Sequence, residues 1–192
     1  MSTPSKVVFR TGKRIYLRPL SREDVPNLTV WINNPEVHQF LTVRKPMLLE
    51  QEQAWFDGLK DKTDQVIFAI VLKEDDVMIG VMGLHNIDHI NGTAVTGSFI
   101  GLKEHWSKGY GTEAKMLVLE FAFNTLNLRK ICSLVFDFNG RSKRALEKSG
   151  YKVEGIRKKQ VFKNGKYRDE LQLAVFKKDF MPLWRKFKQG LS

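Results

Sequence analysis

The stretch EHWSKGYGTEA, residues 104–114, decides how the chain is read. Between Trp106 and Thr112 it holds two glycines, a lysine and no acidic residue. Gly109 and Gly111 lack a Cβ, so backbone N–H groups there can approach a guest closely. Thr112, Glu113, Ala114, Lys115 and Met116 read as the opening of a helix. A glycine turn feeding a helix N-terminus presents unpaired N–H groups and a positive dipole end to an anion. A tight turn before an ordinary helix is the other reading of these residues alone.

The flanks extend the pattern. "GTAVTGSFIGL" (92–102) is a strand leading into the loop. "GTEAKMLVLEFAFNTL" (111–126) is a helix whose apolar residues almost encircle it, so it is deeply buried. "RKICSLVFDF" (129–138) is a buried strand. Residues 94–138 can therefore form a parallel βαβ pair, with the loop at the carboxyl end of its strand, where open α/β sheets bind ligands. Before this lie a strand "RIYLRPL" (14–20), a helix "SREDVPNLTVWINN" (21–34) and a helix "LLEQEQAWFDGLKD" (48–61). Ser21 and Asp24 form a capping box at the first helix, and Leu48, Trp55 and Leu59 mark one face of the second. Strands at 65–73 and 77–87 then flank the turn "EDD" (74–76). After it come the helix "GRSKRALEKSG" (140–150), with Gly150 as C-cap, and two strands joined at Asn164-Gly165, a hairpin signal. The order predicts a mixed α/β domain with one central, mostly antiparallel sheet flanked by helices. A single domain spans 1–192, with a core at about 14–180 and a basic C-terminal helix at 178–190.

Composition narrows the function classes. No apolar run approaches a membrane span, and "MSTPSKVVFRTGKR" lacks the apolar stretch of a secretory signal, which fits a cytoplasmic protein. Cys132 is the one cysteine, in the apolar run "KICSLVF", and reads as a buried inert thiol. Four scattered histidines show no metal-ligand spacing, so no metal is expected. The net charge of +11 is lopsided. Residues 1–100 hold 11 basic and 12 acidic side chains, and residues 101–192 hold 21 and 9. The loop thus heads a basic half suited to acidic guests: phosphates, nucleic acid or an acidic surface.

With these residues on the page, the chain resembles the GNAT N-acetyltransferases. "FIGLKEHWSKGYGTEA" (99–114) is similar to their acetyl-CoA signature. "FDFNGRSKRALEKSGYKVEG" (136–155), "NGKYRDELQLAV" (164–175) and "WINNPEV" (31–37) resemble the branch that includes Rim-type ribosomal-protein N-terminal acetyltransferases. The family pattern is Gln/Arg-x-x-Gly-x-Gly/Ala; Trp106 departs at its first position, and Gly109 and Gly111 match. The resemblance implies that Trp106, Ser107, Lys108, Gly109, Tyr110, Gly111 and Thr112 hold the CoA pyrophosphate. It implies that Phe99, Ile100 and Gly101 pair their backbone with the pantetheine arm, and that Asn139 bonds the same arm. Arg141, Lys143, Arg144 and Lys148 could meet the adenosine phosphates, and of these Arg144 is taken as a cofactor contact.

The implied chemistry is direct attack of an amine on the acetyl thioester in a ternary complex. A backbone N–H near Ile100 would meet the oxyanion. The tyrosine acid of some relatives is replaced by Leu146, and Ser142 matches a serine found in this branch, at the cofactor's thiol. Helix-start hydrogen bonding is its other reading. The glutamate base of many relatives is missing, since Val95 and Thr96 stand where it is sought. His85, Asp88, His89 and Glu104 are the candidates left, alongside a water relay. The favoured acceptor is a protein N-terminus, with an acidic or ribosomal surface as partner. A small amine (amino sugar, aminoglycoside or polyamine) is the first alternative, and a CoA-binding, nucleic-acid-associated module without turnover is the second. The tail "FKKDFMPLWRKFKQG" (176–190) reads as a helix docked on the core or on the partner of a homodimer, with RNA or membrane contact as a further reading.

Overall fold

The computed structural model describes residues 7–190. One eight-stranded sheet organises them. Its strands are β1 (Arg10–Thr11), β2 (Ile15–Pro19), β3 (Val66–Leu72), β4 (Met78–Asp88), β5 (Thr93–Ile100), β6 (Lys130–Phe136), β7 (Lys152–Lys163) and β8 (Lys166–Phe176), in the order β1-β2-β3-β4-β5-β6-β8-β7. Every neighbouring pair is antiparallel except β5 and β6. The helices are α1 (Val25–Asn33), α2 (Pro35–His38), α3 (Leu49–Gly58), α4 (Tyr110–Glu120), α5 (Gly140–Lys148) and α6 (Lys177–Gln189).

Alternation along the strands divides the core between two faces. Ile15, Leu17, Phe68, Ile70, Met82 and Leu84 meet Leu117 of α4, Phe121 and Phe123 of the π-helical turn that follows it (Phe121–Thr125), and Phe180 of α6. Tyr16, Ala69 and Val71 point the other way and pack on Leu28 and Trp31 of α1. The encircling apolar pattern of α4 therefore reports a helix held between the sheet, α5 and α6. Fully buried Phe180 docks α6 on the core. None of the described helices is long and apolar enough to cross a membrane.

Several expectations need correction. The short strand β1 and the one-turn helix α2 carry no sequence periodicity and were not expected. The face marked by Leu48, Trp55 and Leu59 is not buried: Trp55 is 38% exposed, and Glu52 is the buried residue of α3. That helix lies on the periphery, packed chiefly on α1. Cys132 is half-buried rather than buried, and burial still holds its thiol protonated by raising its pKa.

The parallel pair positions the site. β5 and β6 pair only at Thr93–Val95 with Lys130–Cys132. Beyond that point β5 stays with β4 as far as Ile100, and β6 stays with β8 as far as Phe136. The two strands part into a V. Side chains close its apex: the Tyr151 hydroxyl lies 2.8 Å from Thr96 Oγ1, which donates to the Cys132 carbonyl at 3.3 Å. Ser133 Oγ donates to the Thr96 carbonyl at 3.1 Å. Burial drives the Tyr151 pKa upward, so its hydroxyl keeps its proton and donates to Thr96.

Candidate active site

A cavity of about 330 Å³ fills the V. Its walls are Thr96–Ile100 of β5 and Ser133–Phe136 of β6, and its floor is the start of α4. Gly109 is the N-cap of α4 with φ +89°, a left-handed conformation that glycine adopts without strain. No side chain caps this helix, so its first N–H groups stay available to a ligand. His105 Nδ1, in the wall beside the loop, is buried without a hydrogen-bond partner among the described residues. Both features suit a ligand rich in acceptor oxygens.

The loop is braced from behind. Buried Glu113 accepts from the Arg14 amide at 2.7 Å and from Arg14 Nε at 3.2 Å. Arg14 also donates to the Lys108 carbonyl at 2.9 Å and lies 4.5 Å from the Tyr110 ring centre. A side chain at Gly12 would collide with this carboxylate. Glu113 thus ties the first turn of α4 to the start of β2, which fixes where the free amides point. Nothing in the sequence pattern singled it out.

Strand geometry refines which backbone groups face the cavity. The Gly101 amide donates to the Ile79 carbonyl of the β4 side. By the alternation of a strand, Phe99 also turns its backbone toward β4. Ile100 and Ser98 turn theirs toward the cavity. The Ile100 carbonyl already accepts from Trp106 Nε1 at 2.8 Å, leaving Ser98 with both groups open. Gly101 is small for another reason: the Trp31 ring lies against it, and a Cβ there would meet that ring. Phe99 lines the cavity with its neighbour Ile100, whereas Gly101 and Lys108 do not line it.

Asn139 is the N-cap of α5, and its Oδ1 accepts from the Ser142 amide at 3.1 Å. Its NH2 group is left for a ligand. Asn139, Ser142 and Arg144 all line the cavity. Arg141 stacks 3.8 Å from the Trp106 ring centre, and burial lowers its pKa.

The four candidates for proton transfer are not brought together. Asp88 binds the amide and side chain of Asn91, which closes the β4–β5 turn and lowers its carboxyl pKa. His89 and Glu104 are exposed, and none of the three lines the cavity. His85 is different. Its imidazole lies over Gly83 and Gly97, where added Cβ atoms would come within 2.7 and 3.2 Å of Nε2. Gly97 is part of the cavity wall. His85 Nδ1 is 3.3 Å from Gln65 Oε1, an arrangement that fixes the donor on Nδ1 and leaves Nε2 as acceptor. Burial, assisted by the charge of Lys115, lowers the His85 pKa, so the ring is neutral near pH 7.

Besides Ser98 and His105, sequence reasoning missed Glu170, Phe40 and Lys115 of the cavity. Glu170 is buried, lines the cavity and accepts from Arg157 Nη1 at 3.2 Å. Phe40, between Trp106 and Phe138, lies on a segment with no periodic pattern. Lys115 is a buried lysine in the cavity wall. Its signal was legible: it is an ionisable residue within the apolar run of a deeply buried helix.

Comparison with known proteins agrees with this geometry. The model for the acetyltransferase (GNAT) domain family matches residues 14–152. A Bacillus subtilis (strain 168) protein named "Probable N-acetyltransferase YjcK" is 35% identical over 178 residues, covering 88% of this chain and 97% of that protein. A spermidine N-acetyltransferase from Vibrio cholerae, solved with CoA and spermine, has the same fold with a TM-score of 0.80 at 23% identity, covering 88% of this chain and 98% of that one. Mycobacterium smegmatis RimJ, solved with CoA-disulfide, superposes with a TM-score of 0.79 at 20% identity, covering 92% and 88%.

Proposed function

The chain belongs to the GNAT acetyltransferase family, and from that premise we propose that its acceptor is the α-amine of a protein N-terminus. It is an acetyl-CoA-dependent N-acetyltransferase, with acetyl-CoA as cosubstrate. In our reading the free amides at Gly109–Thr112 receive the diphosphate, helped by the braced turn at Trp106, Ser107 and Lys108. Ser98 and Ile100 pair with the amides of the pantetheine arm as an added strand would, and the NH2 group of Asn139 meets the same arm. Arg144 faces the phosphates. The same strand edge offers an N–H to the oxyanion that forms when the amine attacks the thioester carbonyl.

The observation that carries the acceptor class is the scarcity of acid in the cavity. Among the described residues Glu170 is the one carboxylate in the wall, and Arg157 already pairs with it. The remaining lining is apolar or aromatic at Val37, Phe40, Leu41, Leu134 and Phe136, neutral and polar at residues such as Ser98, Thr112, Ser133 and Asn139, or basic at Lys115, Arg141, Arg144 and Lys148. A polyamine brings several positive charges and finds no matching cluster. An N-terminal amine brings one, with a pKa near ~8 against ~10 for an alkylamine. A useful fraction of it is therefore neutral without a strong base, which fits a strand bearing Val95 and Thr96 where a carboxylate would act. His85 Nε2, oriented by Gln65, takes up the proton through water. Ser142 supplies a hydroxyl to the departing thiolate.

The neighbours include a RimJ protein and a spermidine acetyltransferase, so a direct contest decides. Release of CoA thiol is measured with N-terminal peptides of differing first residues and with spermidine, spermine and an amino sugar. Faster turnover per micromolar acceptor on a peptide, lost when its α-amine is blocked, is the expected result. Preference for spermidine overturns the acceptor class and leaves the acetyl-CoA chemistry standing.

A further inference from the structure

The cavity contains an amine of the protein's own. Lys115 follows Gly111 by four residues and Thr112 by three, so it lies on the same face of α4 as the turn that meets the diphosphate. Long helical side chains lean back toward the N-terminus, which carries the amine alongside the cleft. Lys115 is 4% exposed and lines the cavity together with Thr96 and Ser133 of the apex. Its Nζ is 6.0 Å from the ring centre of Tyr151. Among the described residues no hydrogen bond or ion pair holds it. Lys163, the other buried lysine, donates instead to the carbonyls of His38 and Val43.

No acid nearby is free to keep Lys115 as an ammonium. Glu113 on its own helix is spent on Arg14, and Glu170 on β8 is spent on Arg157. The other ionisable groups around it are His85 on β4, Tyr151 before β7, and Arg141, Arg144 and Lys148 on α5. These are neutral or positive and do not favour a second charge. Burial pushes the Lys115 pKa down to about 7. A desolvated amine that gives up its proton far more readily than an ordinary lysine therefore sits in the wall of a cavity whose chemistry is acetyl transfer to amines.

We propose that Lys115 is a site of self-acetylation, taking the acetyl group of bound acetyl-CoA when no acceptor is present. The inference rests on the assignment of this cavity to acetyl-CoA. The Nζ lone pair attacks the thioester carbonyl carbon, a C–N bond forms and the C–S bond breaks. The electron pair leaves on the CoA sulfur, and the surplus proton on nitrogen passes to that thiolate. The products are acetyl-lysine and CoA thiol, with no other reactant. The new amide is uncharged and occupies the space an incoming acetyl group needs, so the modified protein is switched off. Acceptor shortage thereby becomes a signal that the enzyme records on itself.

The test uses the intact protein and acetyl-CoA without acceptor, with acetylated peptides quantified by mass spectrometry and CoA binding measured by calorimetry. Lys115 should be modified with a rate that saturates in acetyl-CoA and is blocked by excess CoA. Its place in the wall of the cavity that holds the thioester predicts labelling at least about a hundredfold faster than at the exposed Lys62. Lys115→Met, with its fold checked by thermal unfolding and its CoA binding by calorimetry, should show only the slow surface labelling. If CoA binds and Lys115 stays unmodified, or reacts no faster than Lys62, the proposal is overturned. If CoA does not bind, the assignment of the cavity falls first, and the proposal with it.

Discussion

At the scale of the residue, two glycines of one motif do different work. Gly109 holds φ +89°, so any side chain there strains the empty protein before a ligand arrives. Gly111 lies within α4, and a Cβ added to it meets nothing within 4 Å. Its smallness serves the guest alone. Gly111→Ala should therefore raise the stability of the free protein by a few tenths of a kcal/mol, less than the ~0.5–1 kcal/mol of a mid-helix position because Gly111 lies in the first turn of α4. The same change should weaken CoA binding by about tenfold or more. Thermal unfolding and calorimetry on one preparation read both signs; a loss of stability with unchanged affinity would contradict the assignment. Lys115 offers a second test. Its folded pKa of about 7 lies below the ordinary lysine value, so the unfolded chain binds more protons between those two pH values. Stability then rises with pH across that window, and the full cost of burying the amine is felt below it. Lys115→Met should stabilise the protein by roughly 4–5 kcal/mol at pH 6, and most of that gain should be gone by pH 10. Urea unfolding at both values measures the difference.

At the scale of the element, the apex of the V depends on side chains that replace a missing ladder. Tyr151 donates to Thr96, and Thr96 donates onward to Cys132. Thr96→Val leaves a buried tyrosine hydroxyl unsatisfied, a cost of about 1–3 kcal/mol. Tyr151→Phe removes that donor and should cost about 1 kcal/mol. The double variant should lose less than the sum of the two, and a denaturant double-mutant cycle gives the coupling. This also shows where the sequence stops being informative. Strong periodicity and turn signals located β3, β4, β5, α4 and the β7–β8 hairpin. The capping pair Ser21 and Asp24 marked the entry to α1, where Asp24 also binds Arg18. Local pattern says nothing about which strands cease to pair after three residues, so Thr96 looked like an absent base rather than a stitch. Asp88 and Glu104 looked available because a turn bond and an exposed position have no sequence signature.

At the scale of the whole molecule, the charge asymmetry seen in the sequence becomes spatial. The basic second half supplies the α4 loop and α5, so Arg141, Arg144 and Lys148 line one cavity with the helix N-terminus. The first half supplies α1, α2 and the segment at Phe40 and Leu41 that roofs the cavity. The two halves of the chain thus meet at the sheet's one parallel junction, with the cavity between β5 of the first and β6 of the second. That junction leaves a mark that needs no assay of chemistry. Past Val95, β5 has a partner on one edge only, so its amides should exchange with deuterium in a two-residue rhythm. Phe99, facing β4, should be slow, while Ser98 and Ile100, facing the gap, should be fast in the empty protein. When CoA binds, Ser98 and Ile100 should slow, and Phe99 should change little. Residue-resolved exchange by NMR would thus trace the ligand's path along the strand as a parity, and uniform protection of all three amides would show that the ligand lies elsewhere.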